Sequence, residues 1–345
     1  MNRYHFITAF NGPEKNNSAF KLRFDNRDIL KELGYEDCTY YFKQNRNKLL
    51  DKAGFYFSFI KLLFKKRGDV IIMQHPLASN IVFDYLLKTC KRRGIKIIAV
   101  IIDIESLRKK EKNPKEQFKE VNTLNQFSAV IVHNNNMGQW LASNGCTNPM
   151  IAIELFDYCS KTVDNTKIAI SSLAGPFNYI AFAGNLQKSK FIHKLNDSTN
   201  TYFLLYGFLK KQFIPVSANV NWMGEYKPEE LLNIIQAHWG LIWDGNETTF
   251  LDEGMGNYLS YNTPHKTSLY FICGLPVIVP AKSAIAPYIL ANRLGVVIEN
   301  IEDCYNISIA ANEYKTLKDN VLKVREKLLQ GIFLKSALQK ALASI

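Results

Sequence analysis

The chain has no apolar run of the roughly 18–20 residues that a membrane-crossing helix needs, so a helical anchor is not expected. Its opening, Met1-Asn2-Arg3-Tyr4-His5, lacks the apolar stretch of a signal peptide, and the expected compartment is the cytoplasm. Cysteine is sparse. The six thiols (Cys38, Cys90, Cys146, Cys159, Cys273 and Cys304) are scattered with no Cys-x-x-Cys pair, which argues against a zinc site or a disulfide framework. Internal repeats, low-complexity tracts and disordered tails are also missing. What remains is 47% hydrophobic and 21% charged over 345 residues, enough apolar mass for two cores.

The positive charge is unevenly placed. Residues 1–160 carry 25 Lys and Arg against 16 Asp and Glu, whereas residues 161–345 carry 18 against 15. A basic first half meets phosphates, nucleic acid or an anionic membrane surface. The segment 48–67 interleaves Phe55, Tyr56, Phe57, Phe59, Ile60 and Phe64 with Lys61, Lys65, Lys66 and Arg67. That pattern fits a basic amphipathic helix lying on a membrane, and equally a core helix with a basic rim. Contact with the inner face of the cytoplasmic membrane through 48–67 is therefore one expectation. No segment resembles a nucleic-acid-reading helix, so no nucleic-acid partner is expected, while a homo-oligomer stays open.

Both halves alternate short apolar strands with helical stretches. Strands are expected at His5–Phe10, Val70–Gln74, Ile95–Ile102 and Ala129–His133, with helices near 17–33, 46–66, 79–93, 115–126 and 136–144. The second half repeats the pattern with strands Tyr179–Ala183, Tyr202–Tyr206, Val220–Met223, Gly240–Trp243, Val277–Val279 and Gly295–Ile298. Near-continuous apolar strands between helices imply parallel sheets covered on both faces, hence an α/β chain of two Rossmann-like domains. The expected division is 1–158, 159–320, and a final helical stretch 321–345, part of a run over 314–343, packing back on the first domain. The connection falls at Asp157–Asn178, which holds Gly175-Pro176.

Residues 261–279 hold the sharpest signal. Pro264 suits a helix start, Lys266 follows two residues on, and Gly274 marks the stop before the strand Val277–Val279. Unpaired N–H groups at such a start, joined by the Lys266 ammonium and the hydroxyls of Thr267 and Ser268, suit a phosphate or diphosphate. An ordinary capped core helix has the same spacing. Ligands of open α/β sheets bind at the carboxyl ends of strands. That rule adds the loops Gly184-Asn185-Leu186-Gln187-Lys188, Asp244-Gly245-Asn246 and Asp103-Ile104-Glu105-Ser106-Leu107-Arg108, together expected to line one cleft between the domains.

These residues resemble a family. The run Gly240-Leu241-Ile242-Trp243-Asp244-Gly245, then Gly256-Asn257-Tyr258-Leu259 and Tyr261-Asn262-Thr263-Pro264-His265-Lys266-Thr267-Ser268, looks like the donor half of the bacterial galactofuranosyltransferases. That family also includes the accessory glucosyltransferase acting on serine-rich adhesins. In the first half, Asp103 to Arg108 and the stretch from Val132-His133-Asn134 to Phe156-Asp157-Tyr158 match as well. The resemblance implies a GT-B fold, an N-terminal acceptor domain, a C-terminal UDP-sugar domain and no obligatory metal or other cofactor. By the same resemblance Asn262 and Lys266 contact the diphosphate, with Gly184, Asn185, Lys188, Asp244, Tyr261, His265, Thr267 and Ser268 around the donor. The sequence departs from the pattern at Lys188, where arginine is frequent, at Ile102, where histidine is usual, and at Thr263 in place of asparagine.

The implied reaction moves a hexosyl unit, galactofuranosyl first and glucosyl second, from a UDP-sugar to a hydroxyl of a cell-surface glycan, a glycoprotein or a lipid-linked glycan. Preformed cations offset the charge growing on the diphosphate. The acceptor hydroxyl needs a base, for which Asp103 and Glu105 are the candidates and His133 the reserve. The Glu-x7-Glu spacing of retaining transferases is missing near 269, so inversion is expected. Asp103-Ile104-Glu105 also has the form that holds Mn²⁺ in the other transferase fold, a weaker reading for two similar α/β halves. A UDP-sugar 2-epimerase, a non-catalytic UDP- or glycan-binding subunit and a DNA-modifying glucosyltransferase are the remaining alternatives.

Overall fold

A computed structural model describes residues 2–11, 18–43, 48–77, 81–109, 113–160, 178–208, 217–250 and 255–345. Most of the Asp157–Asn178 connection, including Gly175-Pro176, lies outside the described residues. The chain divides into two compact units, Met1–Ile153 with Phe333–Ile345, and Glu154–Ile332. Among the described residues no helix is long and apolar enough to cross a membrane.

In the first unit the elements run β1 Arg3–Phe6, β2 Thr8–Asn11, α1 Ser18–Glu32, β3 Glu36–Asp37, β4 Tyr40–Lys43 and α2 Lys48–Ile60. They continue as β5 Val70–His75, α3 Ile81–Arg92, β6 Lys96–Ile101, α4 Glu105–Arg108, α5 Pro114–Leu124, β7 Ala129–Val132, α6 Asn135–Ser143 and β8 Met150–Ala152. The six-stranded sheet is ordered β3-β1-β5-β6-β7-β8 with every pair parallel. Runs such as Val-Ile-Ile-Met in β5 and Ala-Val-Ile-Val in β7 are wholly buried, as strands covered on both faces require. Phe6 anchors the core under α2, its ring 5.9 Å from Phe55 and 5.6 Å from Phe59.

The first expected strand is in fact two. The chain leaves the main sheet at Ile7, whose carbonyl accepts the Tyr40 N–H at 2.9 Å, and β2 pairs with β4 in a separate parallel ribbon. Strands β3, β4 and β8 are two to four residues long, too short to leave a period in the sequence.

The second unit runs β9 Asn178–Ala183, β10 Thr201–Tyr206, β11 Val220–Gly224, α7 Pro228–Ile234, β12 Trp239–Leu241, α8 Met255–Tyr258 and α9 His265–Ile272. It continues as β13 Val277–Pro280, α10 Ala286–Ala291, β14 Gly295–Ile298 and α11 Ala311–Leu329, with α12 Ile332–Ala343 leading back into the first unit. Its parallel sheet is ordered β11-β10-β9-β12-β13-β14. In strand sequence that is 3-2-1-4-5-6, the order of dinucleotide-binding sheets, with the reversal between β9 and β12.

The terminal helical run over 314–343 is two helices, a correction to the single period read from the sequence. Gly331 adopts a left-handed φ of +70°, a conformation cheap only for glycine, and ends α11. Helix α11 stays with the second unit, where the buried Arg325 donates its Nε–H to the Ile272 carbonyl at 2.9 Å. Helix α12 joins the first: Lys335 lies 3.3 Å from Glu32, and Lys96 Nζ donates to the Ile345 carbonyl at 2.6 Å.

Candidate functional site

At the reversal of the second sheet, small residues let three elements converge. Gly240 in β12 faces the Tyr270 ring so closely that a Cβ would stand 2.2 Å from it. Tyr270 therefore lies across the sheet, and its Oη accepts the Ala183 N–H at 2.8 Å, tying α9 to the end of β9. Beside it, Gly207 has a φ of +149°, and a Cβ there would come 1.8 Å from the Gly184 carbonyl oxygen. Neither close approach survives an added methyl.

Lys266 is the result of that convergence. From the first turn of α9 its Nζ donates to the Trp243 carbonyl at 3.0 Å and to Asp244 Oδ1 at 3.1 Å. The ammonium also stands 4.7 Å from the centroid of the Phe182 ring, and a Cβ on Gly184 would lie 4.0 Å from it. At 15% exposed, the side chain is largely enclosed while retaining access to solvent. A cation is thus fixed at the carboxyl ends of β9 and β12, where sheets of this order bind phosphate-bearing ligands.

The neighbouring residues divide. Asn262 Oδ1 and Thr267 Oγ1 are buried and have no hydrogen-bond partner among the described residues, a costly state that suggests an incoming donor. Ser268 is committed elsewhere, because its hydroxyl donates to the Phe156 carbonyl at 2.5 Å. The His265 ring stacks on Tyr158 at 5.0 Å, with Nε2 3.4 Å from the Asp157 carbonyl, so it holds residues 156–158 against α9. Tyr261 is half-buried. Asn185 accepts the Gln187 N–H at 3.1 Å and starts the short 3-10 turn carrying Lys188, which is exposed.

The first unit gathers charges at the carboxyl ends of β5, β6 and β7. Asp103, just past β6, accepts from Arg108 Nη1 at 2.6 Å. Glu105 is exposed at the head of α4, and its N–H donates to Glu120 Oε1 at 3.0 Å, with the Ser106 N–H on Glu120 Oε2 at 2.9 Å. The buried Glu120 also sits 3.2 Å from His75 Nε2. Burial pushes the Glu120 carboxyl up, but the His75 contact and the bonds from Ser106 outweigh it and hold the group below its ordinary value. His133 is buried and pushed down to about 4 by desolvation, against a smaller upward pull from Asp103. It is a neutral imidazole near neutral pH.

Arg23 belongs to the same cluster. From α1 it donates to the carbonyls of Gln74 and Pro76, each at 3.1 Å. Burial lowers its guanidinium to about 10, countered by the fields of Asp103 and Glu105. Arg23, His75 and Glu120 escape a sequence reading because none stands in a recognisable run. The end of β5, at His75-Pro76, was the signal available. In the second unit it is the pairing of Gly240 with Tyr270 that escaped, because it arises only from packing. Among the described residues no three His, Cys, Asp or Glu side chains are grouped to share a metal ion.

Two Rossmann-like units, the second in nucleotide-binding order with an enclosed cation at its reversal, define a chain of the GT-B class. The fold is shared with an α,α-trehalose-phosphate synthase (UDP-forming) from Burkholderia vietnamiensis, at 8% identity and a TM-score of 0.57, over 98% of this chain and all of that one. The family is equally plain in the sequence. Residues 4–155 match the N-terminal and residues 180–341 the C-terminal domain of the glucosyltransferase 3-like proteins, and the chain belongs to that family. It is 27% identical to Glucosyltransferase 3 of Streptococcus gordonii over 98% of both chains. It is also 27% identical to the beta-1,6-galactofuranosyltransferase WbbI of Escherichia coli (strain K12) over 79% of both.

Proposed function

We propose that this chain transfers a hexosyl unit from a UDP-sugar to a hydroxyl of a cell-surface glycan, a glycoprotein or a lipid-linked glycan at the inner face of the cytoplasmic membrane. The carrying observation is the Lys266 ammonium, held by the Trp243 carbonyl and Asp244 where β9 and β12 diverge. Breaking the bond between sugar and UDP leaves negative charge on the diphosphate. A cation already in position stabilises that charge without reorganising at the moment of reaction. The unpartnered Asn262 and Thr267 oxygens stand ready for donors from the ligand, such as sugar hydroxyls or protonated groups of the nucleotide.

The donor favoured is UDP-galactofuranose, with UDP-glucose second, in keeping with the two named relatives, one a galactofuranosyltransferase and one a glucosyltransferase. Asp103 is the preferred base. It is half-buried at a strand end, in the field of Arg23 and beside the neutral His133, whereas Glu105 is exposed. As Asp103 takes the acceptor proton, the hydroxyl oxygen bonds to the anomeric carbon from the face opposite the departing UDP, a single displacement that inverts that carbon, and the Lys266 cation carries the leaving-group charge without a metal.

A panel of UDP-sugars read by melting temperature tests this reading. The true donor raises the melting point, by about 2.7 kcal/mol of stabilisation at a hundred times its dissociation constant. Incubation of that donor with acceptor then yields transfer. Epimerised nucleotide sugar formed without acceptor would instead assign the chain to the epimerases.

A further inference from the structure

Helix α2 is apolar on two opposite faces. Asp51, Phe55, Phe59 and Leu62 face the core, at intervals of three and four residues. On the opposite side Leu49 (74% exposed), Leu50, Phe57 (63%), Ile60 and Phe64 (78%) face away from the sheet. Helix α3 adjoins, its Phe83 ring 5.1 Å from that of Phe59, and its outward side shows Val82 and Tyr85, again more than half exposed. Single exposed apolar residues are ordinary, but a stripe along one helix continued on the next marks a contact surface.

Charge identifies the occupant. Residues 48–93 contain ten Lys and Arg against three Asp, and the three carboxylates turn inward. Asp51 and Asp69 are buried, Asp69 accepting the N–H groups of Asn2 and Lys66, while Asp84 accepts the Thr123 hydroxyl at 2.7 Å. The cations stay outside: Lys52 on α2, Lys61 on the 3-10 turn Lys61–Phe64 that extends it, and Lys66 and Arg67 just beyond border the stripe, and Lys88 and Lys91 extend it on α3. Lys61 lies over the exposed Phe57 ring at 5.0 Å, so apolar and cationic groups share one surface.

From this arrangement we infer that the outward face of α2 and α3 docks on an anionic lipid bilayer, with Phe57 and Phe64 entering the interface and the surrounding lysines meeting the headgroups. Aromatic and aliphatic side chains flanked by Lys and Arg bind such surfaces by combined burial and attraction. A second copy is the poorer occupant, because a two-fold contact through this face would set like charges against each other. The inference rests on this surface alone, although it would bring a transferase to acceptors carried on lipid.

The test is sedimentation of the full chain with phosphatidylcholine vesicles, with and without phosphatidylglycerol. Binding is expected only with phosphatidylglycerol present, and should weaken as salt is raised. The double variant Phe57→Ser/Phe64→Ser should lose about tenfold or more in vesicle affinity. Its melting temperature and its UDP binding should match the parent chain, which keeps this result separable from the donor assignment. Failure to sediment with anionic vesicles, equal binding to neutral ones, or unchanged binding by the folded double variant would overturn the inference. So would a dimer that the double variant abolishes.

Discussion

Lys266 and Asp244 form an ion pair at 3.1 Å, with side chains 15% and 22% exposed, just past the end of β12. Both side chains are largely enclosed, and the Lys266 ammonium also donates to the Trp243 carbonyl at 3.0 Å, so the pair fixes where the ammonium sits. Asp244 therefore positions the ammonium more than it stabilises the fold. Asp244→Ala should weaken UDP binding by about fivefold, the Trp243 carbonyl still holding Lys266. Fluorescence or calorimetric titration with UDP reads the change; tighter binding by the variant would show the carboxylate competing with the ligand.

The two acceptor-side carboxylates should separate under amide substitution. Asp103→Asn is expected to lower turnover by about 10²–10⁴ while leaving the UDP-induced shift in melting temperature intact. Glu105→Gln should have a much smaller effect, since that side chain is exposed. Steady-state kinetics with donor and acceptor varied in turn distinguishes these outcomes. A reversed ranking would make Glu105 the base.

Glu120 is a structural carboxylate and should behave as one. It caps two N–H groups of α4 and pairs with His75, so Glu120→Gln should cost about 1–3 kcal/mol in urea unfolding at neutral pH. Its folded pKa is depressed below the ordinary 4.5. Its contribution is then complete above that value and is lost as pH falls through the lower folded value. The stability difference between parent and variant should accordingly narrow only in acid.

The buried histidines set a second, higher pH window. His5 and His133 are each lowered from 6.5 to about 4, in both cases chiefly by desolvation. Between those values the unfolded chain takes up protons that the folded chain refuses, so stability should fall as pH drops from 6.5 towards 4. The loss approaches about 3 kcal/mol per histidine at the lower limit. Urea midpoints across that range measure it, and His5→Asn should flatten the slope.

Glycine 207 offers a test of the close approach beside Lys266. Gly207→Ala would force a Cβ to 1.8 Å from the Gly184 oxygen at a φ of +149°, and should destabilise by more than about 2 kcal/mol. Gly34 has a φ of +78° and nothing within 4 Å. Gly34→Ala should therefore cost only the backbone penalty, about 1 kcal/mol. Similar unfolding midpoints for the two variants would contradict the packing at the sheet reversal.

The alternation of strands and helices was legible because buried parallel strands such as β5 and β6 are unbroken apolar runs. The place of Lys266 at a helix start was legible because Pro264 and Gly274 mark the limits of α9 in sequence. What stayed hidden depends on contacts between distant residues. Glu120 gives no sign on α5 that it caps a helix fifteen residues away. Gly240 does not announce that Tyr270 will lie against it. The hydroxyl of Ser268 suited a phosphate on paper, yet it is directed at the Phe156 carbonyl. The division of 314–343 into α11 and α12 turned on one glycine whose left-handed backbone no periodicity can show.

If Lys266 binds the diphosphate of the donor, calorimetric titration of UDP must separate the parent chain from Lys266→Ala. Saturable binding by the parent is expected, with at least about tenfold weaker binding by the variant and melting temperatures within a few degrees of each other without ligand. Equal UDP affinity in the two folded proteins would contradict it.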